Sequence, residues 1–430
     1  MTQPIDLLIR NVRLRDEPVD IAVAGGRIVA IGSGLRCEAV EVADGEGCFA
    51  FAGFVETHIH LDKAGILGRC TICEGTLAEA VRETAKAKSA FDEADVHARA
   101  SAVVEKAILH GTNRMRTFVE VDPRAGLRSF EAIRRVKDDY AFAIDIEIAA
   151  FAQEGLTNEP ETLGMLDEAL RNGADLVGGC PYTDPDPRRH VELIFDLAER
   201  HGTAVDFHLD FDLDPERTNL PAVIEETVRR HYGGRVSIGH VTNLSALAPD
   251  AVAGIGRRLA GAGIALTVLP ATDLFLGGRA SDRLVPRGVA PGHRLAAEGV
   301  TVSIASNNIL NPFTPFGDAS LIRMANLYAN VLQLARDEEM AGVFDMVASS
   351  SAKLLGAEHG LRVGGPADIV LLDASGPESA VREIARSVRG WKRGVRTFEA
   401  GRPRLLRTEN RSGLSIGAFS PIAVPSEAPM

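Results

Sequence analysis

Two kinds of hydrophobic pattern divide the chain. Over the first fifty residues, short apolar and β-branched runs are separated by turn signals: Leu7-Leu8-Ile9-Arg10, Val19-Asp20-Ile21-Ala22-Val23, then Gly25-Gly26-Arg27 and Ile28-Val29-Ala30-Ile31. Such runs predict strands. The pattern returns near the other end, in Ala367-Asp368-Ile369-Val370-Leu371-Leu372-Asp373 and Val395-Arg396-Thr397-Phe398. Both termini are therefore expected to build one small sheet domain, residues 1–53 plus 355–405, with the middle of the chain inserted between its halves.

From residue 54 to 354 short apolar runs alternate with longer helical stretches. The predicted strands are 54–60, 114–120, 143–149, 175–179, 204–208, 236–240, 264–269 and 300–305. Amphipathic helices are predicted over 94–109, 126–140, 160–172, 190–200, 219–230 and 248–261. Eight strands, each followed by helix, are the count of a (β/α)8 TIM barrel, whose chemistry sits at the carboxyl ends of its strands. A doubly wound sheet is the alternative, but it would want a Gly-rich phosphate loop after the first strand, and no GxGxxG stands there. Residues 406–430 are poor in charge, contain several Pro and Ser, and predict a C-terminal arm.

Composition narrows the class. With 45% hydrophobic and 25% charged residues, the 430-residue chain has ample material for a globular core. Its formal net charge of −12, with no basic stripe, argues against a nucleic-acid partner. Met1-Thr2-Gln3-Pro4 lacks the basic and apolar regions of a leader, and no run reaches the ~18 apolar residues of a spanning helix. A cytoplasmic protein without a membrane partner is expected, and a homo-oligomer is possible. The odd total of five cysteines fits a reducing compartment, and the lone Cys70-Thr71-Ile72-Cys73 pair reads as small apolar filling.

The candidate chemistry begins at Thr57-His58-Ile59-His60-Leu61-Asp62-Lys63, at the end of the first barrel strand. Side chains at i and i+2 share a face of a strand, so His58 and His60 project together. Alone, such a pair is more often two hydrogen-bonded core or surface histidines than half of a metal site. His208 and His240 change the balance, because each also terminates a predicted strand. Four imidazoles at the carboxyl ends of strands 1, 5 and 6 of one barrel converge on its axis and point to a shared divalent metal ion.

These residues resemble the amidohydrolase superfamily, within it the branch of bacterial cytosine deaminase and N-isopropylammelide amidohydrolase. The likeness runs in order through GGRIVAIG, GFVETHIHLDK, FAQEG, HLD, GHVTNLSAL, NPFTPFG and GGPADIVLLDA. It implies a (β/α)8 barrel with a small β-sandwich from both chain ends. It also implies that His58, His60 and His208 are metal ligands, that His240 contacts the reacting water or substrate, that Gln153 holds an amide edge of the substrate and that Phe313 packs on its ring. A side-chain amide offers one donor and one acceptor face, which suits a cyclic amide.

Two departures stand against that pattern. Where the family ends strand 8 in an aspartate that binds metal and takes a proton, this chain has Ser306-Asn307-Asn308; an asparagine offers a carbonyl oxygen but takes no proton. Three residues after the strand-5 histidine, where cytosine deaminase has a proton-shuttling glutamate, stands Phe211. Strand 4 carries no lysine that could bridge a second metal, so one ion is expected, Zn2+ or Fe2+. Asp62 and Asp210 are expected to orient the histidines, and Lys63 to be either a substrate contact or a solvated loop charge. The expected activity is hydrolysis of a non-peptide C–N bond in a small nitrogen heterocycle, by deamination or cyclic amide cleavage, through metal-bound hydroxide, with His240 and Asn307 as catalytic groups. A retired enzyme that binds a small ligand or partner is the alternative reading, and the lost acid and base favour it.

Overall fold

Gly53 separates two sheets that the apolar stretch from Phe49 to Val55 runs together. In the computed structural model, which describes residues 5–14, 17–401 and 403, Phe49–Phe51 belongs to a sheet of the two termini and Phe54–Ile59 opens the barrel. Gly53 turns the chain between them at φ +85°, and an added Cβ would overlap the Asn113 amide. Only glycine adopts that conformation without strain.

The terminal sheet joins Ile5–Leu14, Glu17–Ala24, Arg27–Gly32, Ala39–Asp44 and Phe49–Phe51 to Ile369–Leu372, Ser387–Lys392 and Val395–Glu399. It is one connected mixed sheet: Ile5–Leu14 pairs antiparallel with Glu17–Ala24 and parallel with Ala39–Asp44, while Phe49–Phe51 pairs antiparallel with Ile369–Leu372. Alternate side chains, among them Leu7, Ile9, Ile21, Val23, Ile369, Leu371 and Trp391, enclose a core of their own. The arm expected over 406–430 lies outside the described residues.

The second sheet is the barrel. Phe54–Ile59, Thr112–Glu120, Asp145–Ala152, Leu176–Gly179, Ala204–Leu209, Val236–His240, Ile264–Val268 and Val302–Ile304 pair in sequence order, all parallel. Closure comes just beyond the last strand, where Asn307 N donates to His58 O (2.8 Å) and His60 N to Asn307 O (2.9 Å). The helices Glu93–Leu109, Arg128–Asp139, Glu161–Arg171, Pro187–His201, Leu220–Arg229 and Pro249–Ala262 stand where the sequence predicts them. Each buries an apolar stripe on the strands. No helix among the described residues is long and apolar enough to cross a membrane.

Period-2 alternation layers the barrel interior. On the second strand, Arg116, Phe118 and Glu120 follow one another up the axis. Arg116 meets Asp206 (3.0 Å) and Ser237 (3.2 Å), closing the lower end with a buried ion pair. Phe118 packs 4.1 Å from the His58 ring, and Phe151 the same distance from His208, as an aromatic floor. Gly178 leaves room for that floor: a Cβ there would overlap the Asp206 carbonyl and press on Phe151. Histidines and Glu120 form the top layer, at the carboxyl ends of the strands.

Candidate active site

The first strand changes register against the second between Glu56 and Ile59, a bulge that re-aims the side chains at its end. His58 Nε2 comes within 3.0 Å of His208 Nε2, and His60 Nε2 within 2.9 Å of the same atom. The ring nitrogens of His58, His208 and His240 lie within 4.8 Å of one another. Burial first, and then neighbouring positive groups, holds His58, His60 and His208 well below the ordinary histidine range. All three are neutral at physiological pH, the form that binds metal.

With ring nitrogens of both His58 and His60 set against His208 Nε2, these three neutral imidazoles have no good hydrogen-bonding solution among themselves. The single lone pair of His208 Nε2 cannot serve both neighbours, whereas a divalent cation accepts a lone pair from each. The donor set therefore fits a divalent ion.

Around this cluster is a small cavity lined by His60, Lys63, Leu77, Gln153, Tyr182, His208, Phe211, His240, Thr272, Leu276, Asn307, Asn308 and Phe313. Every site residue expected from the sequence is brought to it: His58 lies beneath, and the others line the wall. His240 ends the sixth strand at φ +71°, followed by Val241 at φ +44°, a left-handed pair that is costly for a β-branched residue. Its Nδ1 is 2.7 Å from Asp273 Oδ1, so its Nε2 edge is left for the cluster. Burial raises the Asp273 carboxyl, with His240 opposing.

Lys63 is no solvated loop charge. It is 1% exposed, donates to Glu120 Oε1 (2.5 Å) and towards Gln153 Oε1 (3.4 Å), and sits 4.4 Å over the Phe313 ring. Glu120 also accepts from Lys88 (2.8 Å), whose ammonium fills the space between Glu120, Asp122 and Glu154. Those three carboxylates resemble a cation site, and a lysine is the cation. Burial opposes the charge on Glu120, but Lys63 and Lys88 outweigh it and hold the carboxyl at about 2; burial and Glu120 push Glu154 up to about 7.

Two expectations are corrected. Asp62 accepts from the backbone of Lys63 and Glu120, each at 2.9 Å, and Asp210 from Thr218 and Asn219, so both tie loops together and neither meets a histidine. The Nδ1 atoms of His58, His60 and His208 are buried without hydrogen-bond partners. Of the Cys70 and Cys73 pair, Cys70 is half-buried and packs against the main core, whereas Cys73 is exposed and fills nothing.

Asp273, Glu120, Lys88 and Tyr182 were not singled out in the sequence. Asp273 left a faint signal, five residues beyond the end of the seventh strand. Lys88 left none, because it reaches the site from the far end of the helix Leu77–Lys88.

A closed parallel α/β barrel with histidines clustered at its strand ends, beside a sheet made from both termini, is the architecture of a metal-dependent hydrolase. The chain belongs to the amidohydrolase family, which it matches over residues 73–398, and it is a hydrolase of carbon–nitrogen bonds other than peptide bonds. It is 26% identical to the N-isopropylammelide isopropyl amidohydrolase of Pseudomonas sp. (strain ADP), over 92% of this chain and 97% of that one. It is 29% identical to the pterin deaminase of Rhizobium rhizogenes, over 83% of this chain and 82% of that one. The crystal structure of 5-methylcytosine deaminase from Klebsiella pneumoniae liganded with 5-fluorocytosine superposes with a TM-score of 0.87 at 28% identity, covering 93% of this chain and 99% of that chain.

Proposed function

We propose that this protein hydrolyses a C–N bond of a small nitrogen heterocycle or cyclic amide, using one divalent ion held by His58, His60 and His208. The observation that carries the reading is the approach of His58 Nε2 and His60 Nε2 to 3.0 and 2.9 Å from His208 Nε2. Three imidazoles suit either zinc or iron. Such an ion, when bound, lowers the pKa of its water towards ~7 and polarises the bond under attack.

The chain supplies the rest. With Nδ1 committed to Asp273, His240 turns Nε2 towards the reacting centre, where it takes a proton from the attacking water and returns one to the departing nitrogen. That Asp–His pair replaces the carboxylate missing at Asn307. His240 is distinguished from the ligands by this partner, which none of the other three rings has. Lys63 and Gln153 hold the polar edge of the ring, while Phe313, Phe211 and Leu276 cover its faces and exclude water. The acidic chain and its reduced cysteines support a cytoplasmic enzyme without a nucleic-acid partner, and a homo-oligomer is compatible with the same reading.

The test is a screen of protein loaded with Zn2+, Fe2+ or Mn2+ against pyrimidines, triazines, hydantoins and lactams. Ammonia or amine release is followed separately from ring absorbance, which distinguishes deamination from ring opening. Turnover of a member of these classes is expected; a metal-loaded protein that binds such rings without turning them over would make it a binding protein instead.

A further inference from the structure

Three asparagines follow the eighth strand and form a hydrogen-bonded row with a fixed direction. At its far end, Asn311 Oδ1 faces the backbone N–H groups of Phe313 (3.0 Å) and Thr314 (3.1 Å), which can only donate. Its Nδ2 faces the carbonyl oxygen of Lys63 (3.3 Å), which can only accept, and Asn308 Oδ1 (2.7 Å). Asn308 must then give its Nδ2 to Asn307 Oδ1, at 2.9 Å. What remains is Asn307 Nδ2, buried without a partner on a residue that lines the cavity and is 1% exposed.

A row of side-chain amides has two self-consistent directions, and here the backbone donors select one. Turning the row over would set N–H against N–H at Asn311 and oxygen against oxygen at Lys63. The carbonyl oxygen that Asn307 was expected to offer is therefore already engaged, and its free end is a donor.

We infer that Asn307 presents a hydrogen-bond donor to the substrate, with Asn308 and Asn311 as positioning residues that fix its direction. The inference rests on the proposed reading of the site and narrows its substrate. The reacting carbon must be flanked by a lone-pair-bearing atom, a carbonyl oxygen or an unprotonated ring nitrogen. A ring N–H at that point would meet another N–H and be rejected, because both donors would be left buried and unpaired. The same donor gains strength as negative charge builds on an oxygen at the attacked carbon.

Neutron diffraction from crystals of the full-length, metal-free protein reads the direction itself. Two deuterons are expected on the cavity-facing atom of the Asn307 amide, and an oxygen there would overturn the inference. Asn308→Asp gives an independent arm. An aspartate there still accepts from Asn311 Nδ2 but can no longer donate to Asn307 Oδ1, so the Asn307 amide turns over and presents its oxygen instead. Zinc affinity, measured by competition with a chelator, should rise about tenfold; unchanged affinity would contradict the row. If Asn308→Asp does not fold, the neutron map of the wild type still decides. Zinc that fails to bind even the wild type would defeat the metal reading, whereas the neutron map answers for the amide in either case.

Discussion

Lys88→Met tests whether the buried ion cluster behind Lys63 is held together as its geometry implies. The substitution removes the ammonium that meets Glu120 at 2.8 Å and Asp122 and Glu154 at 2.5 Å each, in a site where Lys88 is 2% exposed. Removing one partner of a buried pair costs about 3–5 kcal/mol, because the other charge is left behind in low dielectric. Glu120 would keep Lys63, and Arg124 stands 3.5 Å from Asp122 and 3.4 Å from Glu154. The lower end, about 3 kcal/mol, is therefore expected near neutral pH. In the wild type Glu120 is depressed to about 2, so its contribution is complete above the ordinary glutamate value of 4.5 and is lost as pH falls towards 2. In the variant the three carboxylates face one another and rise, so the folded state takes up protons that the unfolded state does not. The difference between wild type and variant must then shrink as pH falls from neutrality. Urea unfolding followed by far-UV circular dichroism at several pH values measures both quantities. A loss below about 1 kcal/mol, or one that grows on acidification, would refute the reasoning.

Other perturbations separate the roles of the remaining parts. Asp273→Asn should leave bound metal unchanged but lower kcat about 10²–10⁴-fold, by releasing the His240 ring from its orientation; equal loss of metal and activity would make Asp273 merely structural. Asn307→Asp places a carboxylate oxygen where the amide donor now stands, and should tighten zinc binding in a chelator competition; unchanged affinity would put Asn307 outside the site. Gly53→Ala sets a side chain at φ +85° against Asn113, and should cost about 1–3 kcal/mol in chemical unfolding; an unaltered midpoint would show that the junction between the two sheets relaxes freely.

The legible part of the molecule was the part written in short-range pattern. Strand ends at His208 and His240 could be read because apolar alternation stops there, and His58 with His60 because one strand carries both. Helices such as Glu93–Leu109 announced themselves by an apolar stripe. Asp62 and Asp210 misled because closeness in sequence to a histidine says nothing about which way a carboxylate turns; backbone N–H groups claimed both. Glu120 and Lys88 were silent for the opposite reason. A buried charge looks like a surface charge until its partners, 32 residues apart in this pair, are seen together. The direction of the Asn307 amide depends on the backbone of Phe313 and Thr314, which no pattern of residue types encodes.

The central claim is that His58, His60 and His208 hold one ion between them. Metal analysis of purified protein, beside the His208→Ala variant checked for intact secondary structure, tests it most directly. About one equivalent of a divalent metal per chain in the wild type, and almost none in the variant, is the predicted result. A wild type that binds no metal at any concentration supplied, or a His208→Ala protein that keeps its full equivalent, would contradict it.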